Sequence, residues 1–295
     1  MENKTKVVML GTGTPNADPE RSGPCVAIVV GDNSYLVDFG PGLVRRAAQA
    51  YRNGINQLKT SNLKKAFLTH LHSDHSGGYS DLILTPWVLE RDTPLKVYGP
   101  KGLKDMTEYV LMAYSSDINE RIYGLEQANK DGIKVIVNEI TPEYKKIYTD
   151  SHVEVFSIPV IHGSFEAYGY KFVTQDKTIV VSGDTAPCDN LIKAAKGCDI
   201  LIHEAYHTRG LQNRTPQWQK YHSSVHTSAL QLGKIAFQIN PKLLVIYHQI
   251  YMTDINTRIP HLDKKISQIE SEMIADVKEN FRGEVICAKD LKVYE

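Results

Sequence analysis

Short apolar, β-branched runs recur along the chain, each stopped by Gly, Pro, Asp, Asn or a charged residue. In the N-terminal half they fall at residues 7–10, 25–30, 34–37, 65–68 and 95–98, and in the C-terminal half at 153–158, 169–173, 178–181, 200–202 and 243–246. Runs of this length and composition read as strands. Between them the apolar spacing changes to three and four, which reads as helix. Such stretches are 43–51, the stripe Leu103, Met106, Val110 and Ala113, then 225–239 and 266–277. The strands form two sets, each with its own helices. A sheet with one apolar face must bury it, so two sheets face to face with helices outside are expected: an α/β, four-layer αββα sandwich. The second set repeats the layout of the first, which predicts one domain over 1–295 with a duplicated half. Residues 101–150 are the least regular stretch and read as a helical lid or cap.

The densest chemistry is Thr69-His70-Leu71-His72-Ser73-Asp74-His75, directly after the strand at 65–68 and before Gly77-Gly78. In extended backbone His70 and His72 project to the same side, and Asp74 and His75 follow as the chain turns. Three imidazoles and a carboxylate in six residues are costly to bury without a cation. Nitrogen plus oxygen donors suit zinc, with manganese or iron as the alternatives.

His-x-His-x-Asp-His after an apolar strand resembles the signature of the metallo-β-lactamase superfamily. Three later segments resemble that family in the right order: Ile158-Pro159-Val160-Ile161-His162, Ser182-Gly183-Asp184-Thr185 and Val245-Ile246-Tyr247-His248. The resemblance runs over nearly the whole chain, from the opening Gly11-Thr12-Gly13-Thr14-Pro15. It implies two divalent metal ions, zinc in the first instance. His70, His72 and His162 would hold one and Asp74, His75 and His248 the other, with Asp184 bridging. A metal-bridging hydroxide would be the nucleophile, so no Ser or Cys nucleophile is required.

Within the superfamily the C-terminal half is similar to the ribonuclease Z and arylsulfatase-like branch. His203-Glu204-Ala205 resembles its His-Glu-Ala segment and His226-Thr227-Ser228 its His-Ser-Thr segment. His226 stands 22 residues before His248 (248 − 226), the spacing of that branch. The resemblance implies that Glu204 orients His226 and that His226 protonates the leaving group. Asp74, Glu204 and His226 are therefore the expected catalytic set. His203, His207 and His222 lie near the dyad in sequence and read as structural. One feature departs from bacterial ribonuclease Z: a long basic arm that grips tRNA has no room in residues 163–183, which hold two apolar strands.

Charge adds to this doubt about tRNA. Lys+Arg 34 balance Asp+Glu 34, so a basic patch would have to be local. Residues 101–150 carry 7 Lys/Arg against 9 Asp/Glu, with Tyr109, Tyr114, Tyr123, Tyr144 and Tyr148. That composition suits a lid over a small organic substrate, or a dimer surface, better than a phosphate clamp. Four cysteines without a CxxC pair suggest a reduced compartment. The absence of a signal-peptide pattern and of a long apolar run leads to a cytoplasmic expectation with no membrane partner. The leading reading is thus a hydrolase of small-molecule esters (phosphodiester, sulfate or lactone), dimeric as its relatives often are. The alternative is a ribonuclease Z-type endonuclease processing tRNA 3′ ends.

Overall fold

The computed structural model describes residues 4–253 and 262–295, which fall into two compact units. The first comprises the chain up to Gly11, Ser22–Thr141 and Asp290–Glu295; the second comprises Thr12–Arg21 and Pro142–Lys289.

Six strands in chain order build the first unit's sheet: β1 (Lys6–Gly11), β2 (Cys25–Val30), β3 (Asn33–Val37), β4 (Lys65–Phe67), β5 (Leu95–Gly99) and β6 (Val135–Glu139). The C-terminal pair Val293–Tyr294 adds an antiparallel edge beside β1. β1 to β3 pair antiparallel and β3 to β6 parallel. The helices are α1 (Leu43–Arg52), α2 (Ser73–Ser76), α3 (Tyr79–Val88), α4 (Leu103–Ala113) and α5 (Ser115–Tyr123). Leu36, Ala66, Val97, Leu82 and Trp87 are among the fully buried side chains of its core. Arg91 is buried with them and donates to four main-chain carbonyls, those of Leu63, Leu82, Ile83 and Gly132, at 2.8–3.2 Å.

The second unit repeats the plan. Its sheet holds β7 (Lys145–Thr149), β8 (Val153–Pro159), β9 (Tyr168–Thr174), β10 (Thr178–Val181), β11 (Ile200–Tyr206), β12 (Leu243–Ile250) and β13 (Glu284–Cys287), in spatial order β13-β12-β11-β10-β9-β8-β7. β7 to β10 are antiparallel and β10 to β13 parallel. Helices α6 (Asp189–Ala195), α7 (Thr208–Gln212), α8 (Pro216–Val225), α9 (Ala229–Ile239) and α10 (Leu262–Lys278) accompany it. Leu232, Ile235 and Ile239 on α9 share a core with Met273 and Val277 on α10. At Gly233 a Cβ would sit 2.5 Å from the Val277 carbonyl oxygen, so only glycine permits this closeness.

All ten strand runs read from sequence are strands. The span 101–150 contains α4, α5, β6 and β7. The helix expected over 225–239 is α9, which starts later, at Ala229. α8 ends at Val225, His226 is extended (φ −133, ψ 166), and Ser228 opens α9. The cause is a capping box: the Ser228 hydroxyl accepts from the Gln231 N–H, and the Gln231 side chain accepts from the Ser228 N–H. Among the described residues, no helix is long and apolar enough to cross a membrane, and all four cysteines are free and buried.

Candidate metal centre

Both units place their polar residues at the carboxyl ends of strands, where parallel sheets leave crevices for ligands. In the first unit β4 stops at Phe67 and the chain turns out through Thr69 to His72 into the one-turn helix α2. His70 Nε2 and His72 Nδ1 face each other at 3.0 Å. Two nitrogens bound to one tetrahedral zinc at about 2.0–2.1 Å would be roughly 3.3 Å apart, so the pair is spaced for a shared cation. The other nitrogen of His70, Nδ1, lies 2.9 Å from the Thr69 hydroxyl. His75 turns its Nδ1 to Asp38 Oδ2 at 2.7 Å, which leaves Nε2 facing the Asp74 carboxylate at 3.6 Å. His70, Asp74 and His75 are all buried.

Asp38 is the residue that sequence reasoning missed. It follows β3 with a left-handed backbone (φ 64), and its other oxygen accepts from the Thr69 N–H at 2.7 Å. One carboxylate therefore ties the loop's first residue to its last histidine. A carboxylate behind a histidine fixes the tautomer and ring orientation of a metal ligand. Burial raises the Asp38 pKa, while His75 opposes that shift by charge and hydrogen bond. Asp38-Phe39-Gly40 at a strand end was the available signal, because Asp tolerates left-handed φ. At Gly40 a Cβ would meet the Asp74 carbonyl oxygen at 2.5 Å, so the loop's backbone is closely seated.

In the second unit His162 follows β8, Asp184 follows β10, Glu204 lies in β11 and His248 in β12. Ligand atoms of His162, Asp184 and His226 lie within 4.8 Å of one another, all three buried. The His162 Nδ1–H donates to the Val225 carbonyl at 2.9 Å, which frees Nε2 as a donor to a cation. His248 Nδ1 is 3.5 Å from Asp184 Oδ1. His248 has φ 45 and sits where the pairing of β11 with β12 slips: Glu204 pairs with Tyr247, and Ala205 with Gln249. It is the extra residue of a β-bulge, a device that re-aims a side chain beside a site. Left-handed backbone at both Asp38 and His248 is strain of the kind found at functional positions.

Glu204 is fully buried and receives three contacts on one oxygen, from the Thr185 N–H (3.2 Å), the Thr227 N–H (3.1 Å) and His226 Nδ1 (3.1 Å). Burial first, then the Asp184 charge, raise its pKa. The helix break at 226–228 is what allows this geometry, because a continuous helix would bond the Thr227 N–H to a carbonyl four residues back, whereas here it is free to donate to Glu204. His203 is fully buried and its pKa is lowered to about 4 by burial, so it is neutral at pH 7. His207 is held by Glu272 at 2.9 Å.

The donors fit divalent cations: buried imidazoles and carboxylates, with the far nitrogens of His70, His75 and His162 committed to the protein. Of the expected residues, His70, His72, Asp74 and His75 share one loop of the first unit. His162, Asp184, Glu204, His226 and His248 gather at one end of the second sheet.

Comparison with known proteins gives concordant results. The family model described as beta-lactamase superfamily domain matches residues 33–249. Ribonuclease Z of Mycobacterium bovis (strain BCG / Pasteur 1173P2) is 32% identical over 233 residues, 76% of this chain and 80% of the relative. Ribonuclease Z of Mycolicibacterium gilvum (strain PYR-GCK) is 30% identical over 253 residues, 83% of this chain and 84% of the relative. The metallo-β-lactamase fold protein YhfI from Bacillus subtilis superposes with TM-score 0.70 at 19% identity, covering 99% of this chain and 100% of its own. The short form of human tRNase Z also gives 0.70, at 21% identity and 98% of both chains.

Proposed function

Since the chain belongs to the beta-lactamase superfamily and has the metallo-β-lactamase fold, we propose that it is a divalent-metal-dependent phosphodiesterase of the ribonuclease Z kind, cutting RNA at the 3′ end of tRNA. The observation that carries the reading is the Glu204–His226 contact of 3.1 Å beside Asp184, in a chain about a third identical to proteins named ribonuclease Z. These relatives favour RNA over the small sulfate, lactone or phosphodiester esters that charge and the missing arm suggested.

In this proposal His70, His72 and His162 would hold one metal, Asp74, His75 and His248 would hold a second, and Asp184 would serve both. When bound, such ions polarise the phosphoryl group and acidify water. The chain's own groups do the rest. A water oxygen, its proton passing to solvent, forms the new bond to phosphorus as the bond to the leaving oxygen breaks. His226 gives that oxygen its proton, while Glu204 holds the Nδ1–H and stabilises the charged imidazole beforehand. The Thr185 and Thr227 N–H groups fix the Glu204 carboxylate, so the donor is aimed before substrate arrives.

A second reading stands on one observation. Residues 163–183 contain β9 and β10, with no segment there to grip tRNA, which favours a small phosphodiester. A paired assay on metal-analysed protein separates the two. Cleavage of a 3′-extended tRNA precursor at one position supports the first. Turnover of bis-p-nitrophenyl phosphate without tRNA cleavage replaces it with the second.

A further inference from the structure

From Ala205 to Thr253 the sequence has no Asp or Glu, yet it carries Arg209, Arg214, Lys220, Lys234 and Lys242. This is the local basic stretch that the balanced total charge concealed. Its middle is α8, which leads directly into His226. Arg209, Arg214 and Lys220 are exposed. So are two aromatic rings, Trp218 at 47% and Tyr221 at 42%. Trp218 stacks on His222 with centroids 5.5 Å apart, and His222 lies 5.6 Å from His226 at 30°. Tyr221 stands edge-on to Trp218 at 5.7 Å and 6.5 Å from His226. Residues 218, 222 and 226 are four apart, so a row of rings runs along one side of the helix to the dyad. Burial, with His226 and Arg214 nearby, lowers the His222 pKa to about 4, so that ring contributes a neutral stacking face.

Large aromatic rings left half-open beside the exposed cations Arg214 and Lys220 are the composition of a single-strand nucleic-acid platform: stacking tolerates any base, and the cations follow the phosphates. We propose that Trp218 and Tyr221 form a stacking site for the base of the nucleoside that departs on cleavage. The side follows from the proton. The leaving oxygen takes it from His226, so its nucleoside lies on the His226 side, and the next rings outward are Tyr221, His222 and Trp218. The placement of the base rests on the RNA-cleaving reading above; stacking of a single strand at α8 does not.

The chain contains two tryptophans, and Trp87 is only 1% exposed. Tryptophan fluorescence therefore reports contact at Trp218. Metal-loaded protein titrated with a short single-stranded oligoribonucleotide should show quenching that an abasic strand of equal length does not produce. Trp218→Ala should weaken binding of the base-bearing strand by about tenfold, the order expected for one stacked base. Trp218→Phe should bind between the two, and Tyr221→Ala should quench less strongly than wild type. In cleavage, the ratio of kcat/KM for base-bearing over abasic leaving nucleoside should fall by about the same factor in Trp218→Ala. Equal quenching by the abasic strand, or Trp218→Ala binding as wild type does, overturns the site. Quenching by a protein that cleaves no RNA would keep the platform and discard the RNA-processing reading. Cleavage without quenching would do the reverse.

Discussion

Asp38 Oδ2 and His75 Nδ1 are 2.7 Å apart with both side chains buried, so the last histidine of the 70–75 loop is aimed by a residue 37 positions earlier. Replacing Asp38 tests that control without touching a ligand. Asp38→Ala should lower metal affinity by about 10–100-fold, the usual cost of losing such a partner. Competition with a graded series of chelators measures it. Asp38→Asn keeps an oxygen for the Thr69 N–H but sets an NH2 group where the carboxylate met His75, so it should lie nearer Ala than wild type. Wild-type affinity in both variants would remove Asp38 from the site.

His226 and Glu204 make a contrasting pair, because their contribution is to a proton and not to a metal. His226→Ala should cost about 10²–10⁴ in kcat on RNA, whose leaving alkoxide needs protonation. On bis-p-nitrophenyl phosphate, whose leaving group departs as a stable anion, the loss should be far smaller. Glu204→Gln should follow the same order with a milder effect, since the Thr185 and Thr227 N–H groups can still hold an amide oxygen. Identical losses on both substrates would rule out the proton-donor role.

The fold and the cluster of candidate donors were readable because each rests on a local pattern. The apolar runs are long enough to show period two or full burial, and His70 to His75 compress their chemistry into six residues. What escaped depended on tertiary context. α3 is buried over much of its surface and contains Pro86, so neither amphipathicity nor the usual proline rule marked it as helix. β11 and β12 run on past the expected ends at 202 and 246, because their final polar residues His203, Glu204 and His248 are buried as completely as the apolar ones. The later start of α9 was written in Ser228-x-x-Gln231, a capping box masked by the continuous apolar spacing around it. Trp218 carried no sequence signal, and only its exposure beside His222 gives it meaning.

Arg91 offers a stability test far from any reacting group. Its guanidinium is fully buried, makes no ion pair with a carboxylate among the described residues, and satisfies four carbonyls drawn from three parts of the first unit. Burial lowers its pKa to about 10, still charged at pH 7. Lysine cannot reproduce the planar fork, so Arg91→Lys should cost about 3 kcal/mol by stranding buried acceptors around a misplaced charge. For a chain of this size that is a fall in Tm of roughly 6–12 °C, read by thermal unfolding. A shift under about 2 °C would mean that water or a local rearrangement replaces the guanidinium.

Asp184 sits where the second unit's polar groups converge: His248 Nδ1 at 3.5 Å on one oxygen, His226 Nδ1 at 3.9 Å on the other. A carboxylate placed between two imidazoles could be either a bridge between cations or an acceptor that merely neutralises histidines. The two roles separate on metal content. As a bridge, Asp184 contributes to both ions, so Asp184→Ala should lose metal as well as activity, with each purified chain carrying clearly fewer than two ions. Asp184→Asn keeps the shape but not the charge and should bind metal weakly, with activity partly restored by excess zinc or manganese. Metal bound only to the folded state also stabilises it, so chelation of wild type should lower Tm and re-addition should restore it. The same treatment should move Asp184→Ala much less. Full metal occupancy in Asp184→Ala, with activity alone lost, would exclude the bridge and leave Asp184 as a partner of the histidines.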